Sequence, residues 1–370
     1  MRKNKNNETD LPLTISSKDG LVDQISFFNK TVASKDMSGY YLLMNGEYAY
    51  NKSYSVGYDF GSIKRLERYP MGALSTLYIC FALKKYNSDF IKTYFDSLKW
   101  YKEIYMISAE GARNHGLLNV PTDEFFDTYH YITENEAEQE KIAKLMDLIE
   151  QRIKKQQALV DNLKKYKRGA INNIFNGYAF DESVHECLLS DVASFHQGLT
   201  YSPEDVSDTG YLVMRSSNIQ NGRLSFADNV YVNKSISESL FVQENDVLMC
   251  VRNGSKQLVG KTAIVNQPYS NMTWGAFMMI IRSKLKNTFV YHYLNSDSFF
   301  NQVFKDTGTA TINQITKGTL NECRLFMPKP EQQECICKYL DLLDEKLHKE
   351  EDFLESLKLL KKSLLQHLFI

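Results

Sequence analysis

Residues 136–175 read EAEQEKIAKLMDLIEQRIKKQQALVDNLKKYKRGAINNIF, and residues 330–369 read PEQQECICKYLDLLDEKLHKEEDFLESLKLLKKSLLQHLF. The two stretches align without a gap at a shift of 194 residues. Identical residues recur along the alignment, for example Gln139 with Gln333 and Phe175 with Phe369. An internal repeat of this kind predicts that the chain is built from two related halves.

The apolar positions of both stretches advance by four and three residues alternately, which is the spacing of a coiled-coil seam. The first seam is Ile142, Met146, Ile149, Ile153, Gln156, Val160, Leu163, Lys167, Ala170, Ile174, and the second is Ile336, Leu340, Leu343, Leu347, Glu350, Leu354, Leu357, Lys361, Leu364, Leu368. Both seams are interrupted by polar residues at the same two places. We therefore predict two long α-helices that pair with each other and use the polar positions to fix their register. The alternative is that each helix packs only on the core of its own domain.

Local signals predict the ends of these helices. Thr133 followed by Glu136 resembles a capping box, and Pro330 suits a first helical position. Asn176 and Gly177 favour a stop after Phe175.

A weaker repeat precedes each helix. The segment 90–95 (FIKTYF) resembles 289–294 (FVYHYL), and 45–50 resembles 244–249, both at a shift of 199 residues. These regions mix short β-rich runs with short helical segments, the latter predicted over 90–98 and 289–304. We predict an α+β fold in which two globular modules are joined by two long α-helices that form an antiparallel coiled coil. The expected boundaries are 1–132 and 177–329 for the modules, and 133–176 and 330–370 for the helices.

The first module is expected to be short at its N-terminus. Leu13–Ser16 matches the strand that begins at Tyr211 in the second module, so the counterpart of residues 188–203 would lie before Met1. By this arithmetic, about twenty residues of the opening segment are missing.

Composition narrows the class of protein. Lys+Arg 44 against Asp+Glu 45 leaves a net charge of -1 in 370 residues, so positive potential for a nucleic acid would have to be local or shared with a partner. The longest wholly apolar run, 276–281, is far below the ~20 residues that span a bilayer. The first ten residues are polar and do not resemble a signal peptide. We expect a cytoplasmic protein with reduced cysteines and no membrane association.

The chain lacks the usual catalytic and cofactor motifs. Gly254–Thr262 has five residues between its first two glycines where a phosphate-binding loop needs four, so we predict a turn between strands there. No zinc-protease, nucleophile-elbow or dinucleotide motif occurs, and no His or Cys cluster has metal-ligand spacing. We expect no catalytic residue, no metal and no cofactor.

The repeated plan of module and heptad helix resembles the specificity subunit of type I restriction-modification systems. The resemblance rests on Glu331–Ile336 and Leu364–Phe369 of the second helix, together with Glu138–Ala143 and Ile171–Phe175 of the first. Within the modules, Tyr41–Ser53, Leu74–Cys80 and Gly308–Asn313 are similar to segments of that family's target-recognition domains. The resemblance covers nearly the whole chain.

Such a resemblance implies a non-catalytic DNA sequence-recognition subunit. In that family each module contacts one half of a split, asymmetric target in double-stranded DNA. The paired helices act as a spacer and docking platform for methyltransferase (modification) subunits, which bring in restriction/translocase subunits. A rod of about 50 Å, the length of ~33 helical residues, corresponds to about 15 base pairs. The expected loss of the opening segment from the first module bears on whether that module contacts the first half-site.

Side chains that contact base edges in DNA are mainly Arg, Lys, Asn, Gln, Ser and Thr. In this sequence, residues of these types cluster in matching loops of both modules. The candidates of the second module lie in three loops: 215–218 with Arg215, Ser216 and Asn218; 252–257 with Arg252, Lys256 and Gln257; and 309–313 with Thr309, Thr311 and Asn313. The three parallel loops of the first module are 16–18 with Ser16 and Lys18, 51–54 with Asn51, Lys52 and Tyr54, and 113–114 with Arg113 and Asn114. For each of them the alternative is a solvated loop without DNA contact.

One hypothesis of a different class stays open at this point. The chain would be a protein–protein adaptor, in which the coiled coil bridges two partners and the modules do not contact bases. The salt dependence of duplex binding, measured against a random-sequence competitor, discriminates between the two.

Overall fold

The computed structural model describes residues 2–108, 118–177, 184–267, 269, 271–305 and 314–369. The chain divides into two compact units, here called unit 1 (Met1–Gln157 with Asp352–Ile370) and unit 2 (Ala158–Glu351). Each unit therefore combines a globular module with part of both repeat stretches. The predicted α+β fold is confirmed.

The described residues of unit 1 form two small sheets and four short helices, besides parts of the two long helices. Its strands are β1 (Pro12–Ser16), β2 (Gly20–Asp23), β3 (Tyr41–Met44), β4 (Tyr48–Asn51), β5 (Ser62–Arg65), β6 (Met71–Leu74) and β7 (Ile79–Phe81). Its short helices are α1 (Gln24–Phe28), α2 (Ser88–Asp96), α3 (Tyr101–Ile107) and α4 (Thr122–Phe126). The strand orders are β2-β1-β6-β3 and β5-β4-β7. The long helix α5 (Glu136–Gly177) follows and continues into unit 2.

Unit 2 has the same plan with additional strands. Its strands are β8 (His185–Leu188), β9 (Ala193–Gln197), β10 (Val206–Ser207), β11 (Tyr211–Met214), β12 (Ile219–Gln220), β13 (Arg223–Leu224), β14 (Tyr231–Val232), β15 (Val247–Cys250), β16 (Thr262–Ile264), β17 (Met272–Trp274), β18 (Met278–Ser283) and β19 (Arg324–Met327). Its short helices are α6 (Leu189–Val192), α7 (Phe289–Tyr293), α8 (Asp297–Val303) and α9 (Lys317–Glu322). The second long helix, α10 (Pro330–His367), begins in this unit and continues into unit 1. The larger sheets have the orders β10-β14-β11-β17 and β16-β15-β18-β9.

The weaker repeat is confirmed by the strands. β4 and β15 begin at Tyr48 and Val247, which are 199 residues apart, and each is the middle strand between a hairpin partner and a later antiparallel strand. β1 is parallel to β6, and β11 is parallel to β17. β9 adds to the edge of β18, whereas β7 has β4 as its strand neighbour within the described part of unit 1.

Both units enter the central strand through the same turn. Gly46 and Asn245 occupy matching positions with φ of 87° and 66°, the left-handed region that glycine and asparagine tolerate. The next residue is a buried carboxylate in each case. Glu47 accepts the backbone N–H of Met44 at 2.8 Å, and Asp246 accepts that of Gln243 at 2.7 Å. The sequence repeat at this place therefore encodes a turn that its own carboxylate closes.

The end of α10 is part of the core of unit 1. Phe369 is 5% exposed, and its ring centroid lies 5.5 Å from that of Phe90 and 5.3 Å from that of Tyr94, both on α2. Ala143, from the start of α5, belongs to the same buried cluster. The module of unit 1 thus packs on the beginning of one long helix and the end of the other.

Unit 2 repeats this arrangement with the helices exchanged. Phe175, from the end of α5, lies 5.1 Å from Phe289 and 5.8 Å from Tyr293 between ring centroids. Cys337, from the start of α10, completes the cluster. All four residues are the repeat partners of those in unit 1, so the two cores are equivalent.

The long helices pair antiparallel in each unit. In unit 1, Lys361 near the end of α10 donates to Glu150 in the first half of α5 at 2.8 Å. In unit 2, Lys167 near the end of α5 pairs with Asp344 in the first half of α10. Lys361 and Lys167 are repeat partners, as are Glu150 and Asp344. The second polar interruption of each seam, Lys167 or Lys361, therefore forms an ion pair with the opposite helix. The alternative, in which each helix packs only on the core of its own domain, is wrong.

Two local predictions need correction. Helix α5 begins at Glu136, because the capping residue is Asn135 rather than Thr133: the side-chain amide oxygen of Asn135 accepts the N–H of Glu138 at 3.3 Å. The helical segment predicted over 289–304 is two helices, α7 and α8. Ser296 separates them, since its side chain accepts the N–H of Phe299 at 3.2 Å and starts the second helix. Pro330 is the first residue of α10, as predicted.

No helix within the described ranges is long and apolar enough to cross a membrane. All six cysteines are free.

Replacing Phe369 with alanine should destabilise unit 1 by about 3–5 kcal/mol, because it leaves a cavity in a buried aromatic cluster. Hydrogen exchange read by mass spectrometry should speed up in β4 and β7 and stay unchanged in β15 and β18. Phe175→Ala should have the reverse pattern. Leu359→Ala is the control, since Leu359 is 66% exposed. Equal acceleration in both units by either variant would contradict equivalent, separate cores.

The Glu150–Lys361 pair should make stability depend on acid pH. Burial alone raises the pKa of Glu150, but the hydrogen bond and charge of Lys361, with the charge of Lys92, outweigh it and lower the pKa below its ordinary 4.5. The unfolded chain then binds the proton more readily, so the contribution is present above pH 4.5 and is lost as pH falls through the folded-state pKa.

Glu150→Gln should therefore reduce stability at neutral pH and flatten its decline on acidification, as measured by urea unfolding at several pH values. Glu140→Gln, at an exposed position on the same helix, is the control and should retain the wild-type decline. An unchanged acid slope in Glu150→Gln would show that the pair contributes nothing.

Candidate nucleic-acid interface

The first two predicted loops of the second module contact each other in unit 2. Ser216 follows β11, and its hydroxyl accepts a hydrogen bond from the side-chain amide of Asn253, which follows β15, at 3.3 Å. Arg252 forms an isolated β-bridge with Gln314, and the backbone N–H of Ile315 donates to Val251 at 2.8 Å. The residues that follow the third predicted loop are thus anchored beside the second. Thr309, Thr311 and Asn313 themselves lie outside the described residues.

Sheet connectivity explains why these loops meet. β11 is parallel to β17, and the N–H of Gly275 after β17 donates to Met214 at the end of β11 at 3.0 Å. The chain then enters β18, which pairs with β15. Gly198 allows a close backbone approach at this corner, because a Cβ there would collide with the carbonyl oxygen of Gly275.

A cavity of about 770 Å³ opens at this junction. Its lining includes Arg215, Ser217, Arg252, Asn253 and Phe277. The guanidinium carbon of Arg252 lies 5.2 Å from the ring centroid of Phe277, which is 57% exposed. A cation held over an aromatic ring keeps its N–H donors available around its edge. The cavity therefore presents donors next to an exposed apolar surface.

Two polar atoms of this cavity lack a partner within the described ranges. One guanidinium nitrogen of Arg215 pairs with Asp228 at 2.9 Å, but its Nε is buried without a hydrogen bond. The hydroxyl of Ser217 is buried and unpartnered as well. Leaving such groups unsatisfied costs about 1–3 kcal/mol each, so they favour a ligand that brings hydrogen-bond acceptors.

Asn218 holds the loop rather than facing the cavity. It is fully buried, and its side-chain oxygen accepts the N–H of Arg215 at 2.9 Å. Its amide nitrogen donates to the carbonyl oxygens of Ser225 at 2.9 Å and Asp228 at 3.2 Å. Asn218 thereby links the two ends of the segment that carries Arg215.

Lys256 and Gln257 are exposed but do not line the cavity. They lie on a short 3-10 turn, and Lys256 Nζ is 5.8 Å from the ring centroid of Phe304. The turn leads directly into β16, so Gly254–Thr262 is a connection between strands as predicted. The predicted loop 252–257 thus contributes its first two residues to the cavity.

The corresponding loops of unit 1 also meet. Ser17, between the predicted contacts Ser16 and Lys18, hydrogen-bonds through its hydroxyl to Ser55 at 2.9 Å and to Ser62 at 3.0 Å. The hydroxyl of Ser16 donates a hydrogen bond to a carboxylate oxygen of Asp19 at 2.7 Å, whereas Lys18 is exposed. Ser17 is the repeat partner of Ser216, so both units join the loop after the first strand to the loop after the central strand.

The second loop of unit 1 carries the remaining described candidates. Asn51 accepts the N–H of Ser53 at 3.0 Å, and Tyr54 is 58% exposed. The carbonyl oxygen of Lys52 accepts the N–H of Leu118 at 3.0 Å, so the residue that follows the third predicted loop lies beside the second, as in unit 2. Arg113 and Asn114 lie outside the described residues.

Phe277 and Asp228 are cavity residues that the sequence pattern does not single out. Phe277 belongs to an apolar run typical of a buried strand, and its exposure follows from its place just before β18. Asp228 is twelve residues beyond Ser216 and reaches Arg215 only because β12 and β13 form a hairpin between them. In the described ranges, no three His, Cys, Asp or Glu side chains converge as metal ligands.

Residues 182–358, which include this cavity, match the family described as the type I restriction modification DNA specificity domain. The match spans just under half of the chain. The chain is 28% identical, over 162 residues, to the type I restriction enzyme EcoKI specificity subunit of Escherichia coli (strain K12). It is equally similar to the StySPI specificity subunit of Salmonella potsdam. The matched segment covers 42% of this chain and 35% of each relative, so this chain matches about a third of their length.

Solved structures show the fold of the whole chain. One is a chain from a study of complex assembly and conformational transition of the type I R-M system, with a TM-score of 0.60, 16% identity, and coverage of 100% of this chain and 93% of that one. Another is the type I restriction-modification S subunit from M. genitalium, with a TM-score of 0.54, 17% identity, and coverage of 92% and 87%. The predicted resemblance to specificity subunits is confirmed.

Asn218→Ala should destabilise unit 2 by about 1–3 kcal/mol, because it leaves the N–H of Arg215 and two carbonyl oxygens without their partner. Hydrogen exchange should increase across residues 215–229. Gln257→Ala, at an exposed position outside the cavity, should leave exchange unchanged. If Asn218→Ala were as stable as the wild type, its role in holding this segment would be refuted.

Proposed function

We propose that the chain is the DNA sequence-recognition subunit of a type I restriction-modification complex and contacts a split target in double-stranded DNA. The observation that carries this proposal is the loop junction present in both units, Ser17 with Ser55 and Ser216 with Asn253. The junctions occupy matching places but carry different side chains. Two related modules with different contact residues suit an asymmetric target whose halves differ.

The chemistry of the junction in unit 2 suits the edges of base pairs. Arg is the common partner of guanine in the major groove, and Asn suits adenine. Arg252 and Asn253 are adjacent there, with the unsatisfied donors of Arg215 and Ser217 nearby. Phe277 offers an apolar surface for a thymine methyl group. The modules 1–132 and 177–329 are the proposed target-recognition domains, and 133–176 with 330–370 are the proposed spacer.

Exposed apolar residues on the long helices support a docking role. Four pairs of repeat partners are each at least 40% exposed, namely Leu145 with Tyr339, Leu148 with Leu342, Leu159 with Phe353, and Tyr166 with Leu360. Single exposed leucines are ordinary, but recurrence at matched positions of both repeats is not expected from chance exposure. Two copies of one partner would meet the same pattern twice. We assign these positions to two methyltransferase subunits, through which restriction/translocase subunits join the complex, and assign no catalysis to this chain.

The same matched positions also favour the alternative of a protein–protein adaptor. An adaptor needs the docking positions and not the loop junctions. Duplex binding that is absent, or strong but equally competed by random DNA, would favour the adaptor. Sequence-specific binding that weakens with salt favours the recognition subunit.

Arg252→Lys should relax selectivity at one base position, within one half of the target, when methylated sites are mapped genome-wide in cells that express the chain with its methyltransferase partner. Lysine keeps the charge for phosphate contact but loses the planar fork that pairs with guanine. A lost bidentate contact is worth about 1–3 kcal/mol of discrimination.

Lys52→Ala should affect the other half alone, and Lys346→Ala, at an exposed position on α10, should affect neither. A methylated sequence that changes in both halves with Arg252→Lys, or in neither half with all three variants, would contradict the proposed function.

A further inference from the structure

Unit 1 contains a strongly cationic cleft beside the long helices. The cleft has a volume of about 620 Å³ and is lined by β-strand and turn residues of the module and by α5 and α10. Eight Lys and Arg side chains line it against four Asp and Glu side chains. Because the whole chain has a net charge of -1, this excess is local.

Part of this charge is neutralised by ion pairs that shape the wall. Lys64 pairs with Asp96 at 2.7 Å, and Lys92 pairs with Glu67 at 2.9 Å. Lys361 pairs with Glu150, as described for the helix pair. These contacts hold the strand, α2 and the long helices in fixed positions around the cleft.

Three other cations of the lining do not take part in the ion pairs that hold the wall of the cleft. Lys18, Arg68 and Lys154 have no ion pair or hydrogen bond within the described ranges of unit 1, although the charge of Lys154 helps to lower the pKa of Glu150 on the same helix. They come from three different elements, since Lys18 lies in the turn after β1, Arg68 follows β5, and Lys154 lies on α5. All three are exposed to solvent, and the excess of positive charge in the cleft favours the binding of an anion there.

Unit 2 provides an internal comparison. A cleft of about 530 Å³ lies at the matching place, as Glu150 and Lys154 of the first cleft correspond to Asp344 and His348 of the second. Lys92 is replaced there by Tyr291. Its lining includes three carboxylates, Asp341, Asp344 and Glu345, and one Arg or Lys side chain, that of Arg223. Burial, with the charge of Arg223, holds the pKa of His348 below its usual value, so it adds no positive charge at neutral pH.

The same fold therefore has a cleft of positive charge in unit 1 and a matching cleft of negative charge in unit 2. The three cations of unit 1 are consequently not needed for packing. We propose that the unit 1 cleft is a binding site for a phosphate-bearing anion, held by Lys18, Arg68 and Lys154. Several phosphate oxygens can bridge cations from three elements, and a guanidinium binds two of them at once. A single carboxylate offers too few acceptors for the three.

Two sources share this chemistry: the phosphodiester backbone of a duplex and a free polyphosphate. The duplex is the nearer source, because Lys18 adjoins Ser17 of the loop junction in unit 1. The assignment of the site to duplex DNA rests on the proposed function, whereas the existence of an anion site does not.

The test is calorimetric titration of the full chain with sodium tripolyphosphate at low ionic strength. Saturable binding is expected in the wild type. Arg68→Gln with Lys154→Gln should weaken it about tenfold, the product of two lost charge contacts. Lys18→Gln should weaken it independently. Lys102→Gln with Lys155→Gln removes the same charge from exposed positions outside the cleft and should leave binding unchanged.

Thermal unfolding of both double variants checks that each is folded. Absence of saturable binding in the wild type, or an equal loss in both double variants, would overturn the site. Displacement of tripolyphosphate by a short random-sequence duplex assigns the site to DNA phosphates, and lack of displacement assigns it to a free polyphosphate. Methylation mapping reports on the proposed function separately, so either proposal can fail alone.

Discussion

The structure depends on the aromatic residue that ends each long helix. Phe175 and Phe369 are buried in the core of a module that also packs on the first turns of the other long helix. Each module is thus completed by a segment distant in sequence, and in unit 1 that segment is the end of the chain. Burial of an aromatic side chain contributes several kcal/mol, a large share of the net stability of an ordinary domain. The core of each module therefore depends on residues from both long helices.

The ion pairs of the helix seam serve direction and register. The pairs Glu150–Lys361 and Asp344–Lys167 are equivalent under the repeat. Antiparallel pairing therefore forms the same ion pair once in each unit. A half-buried ion pair adds little net stability after desolvation, but a displaced register would leave a lysine facing apolar seam residues. These residues therefore act mainly by penalising the wrong pairing.

A common framework carries different surfaces in the two units. The turns at Gly46 and Asn245, the central strands and the loop junctions match, whereas the side chains at the junctions differ. The two clefts beside the long helices even differ in the sign of their charge. The residues that hold the framework are buried and repeated, and the differences between the units lie at solvent-facing positions.

Sequence alone determined the repeat, the two long helices, their polar seam positions and the loops in which candidate contacts lie. These features are local or periodic, so spacing and residue type suffice to find them. Only the tertiary structure separated Asn218, which is buried and holds its loop, from Arg252, which lines the cavity. It alone brought Phe277 and Asp228 to the same place and gathered Lys18, Arg68 and Lys154 in one cleft. Such groupings depend on strand pairing and helix packing between residues far apart in the chain, and no local pattern records them.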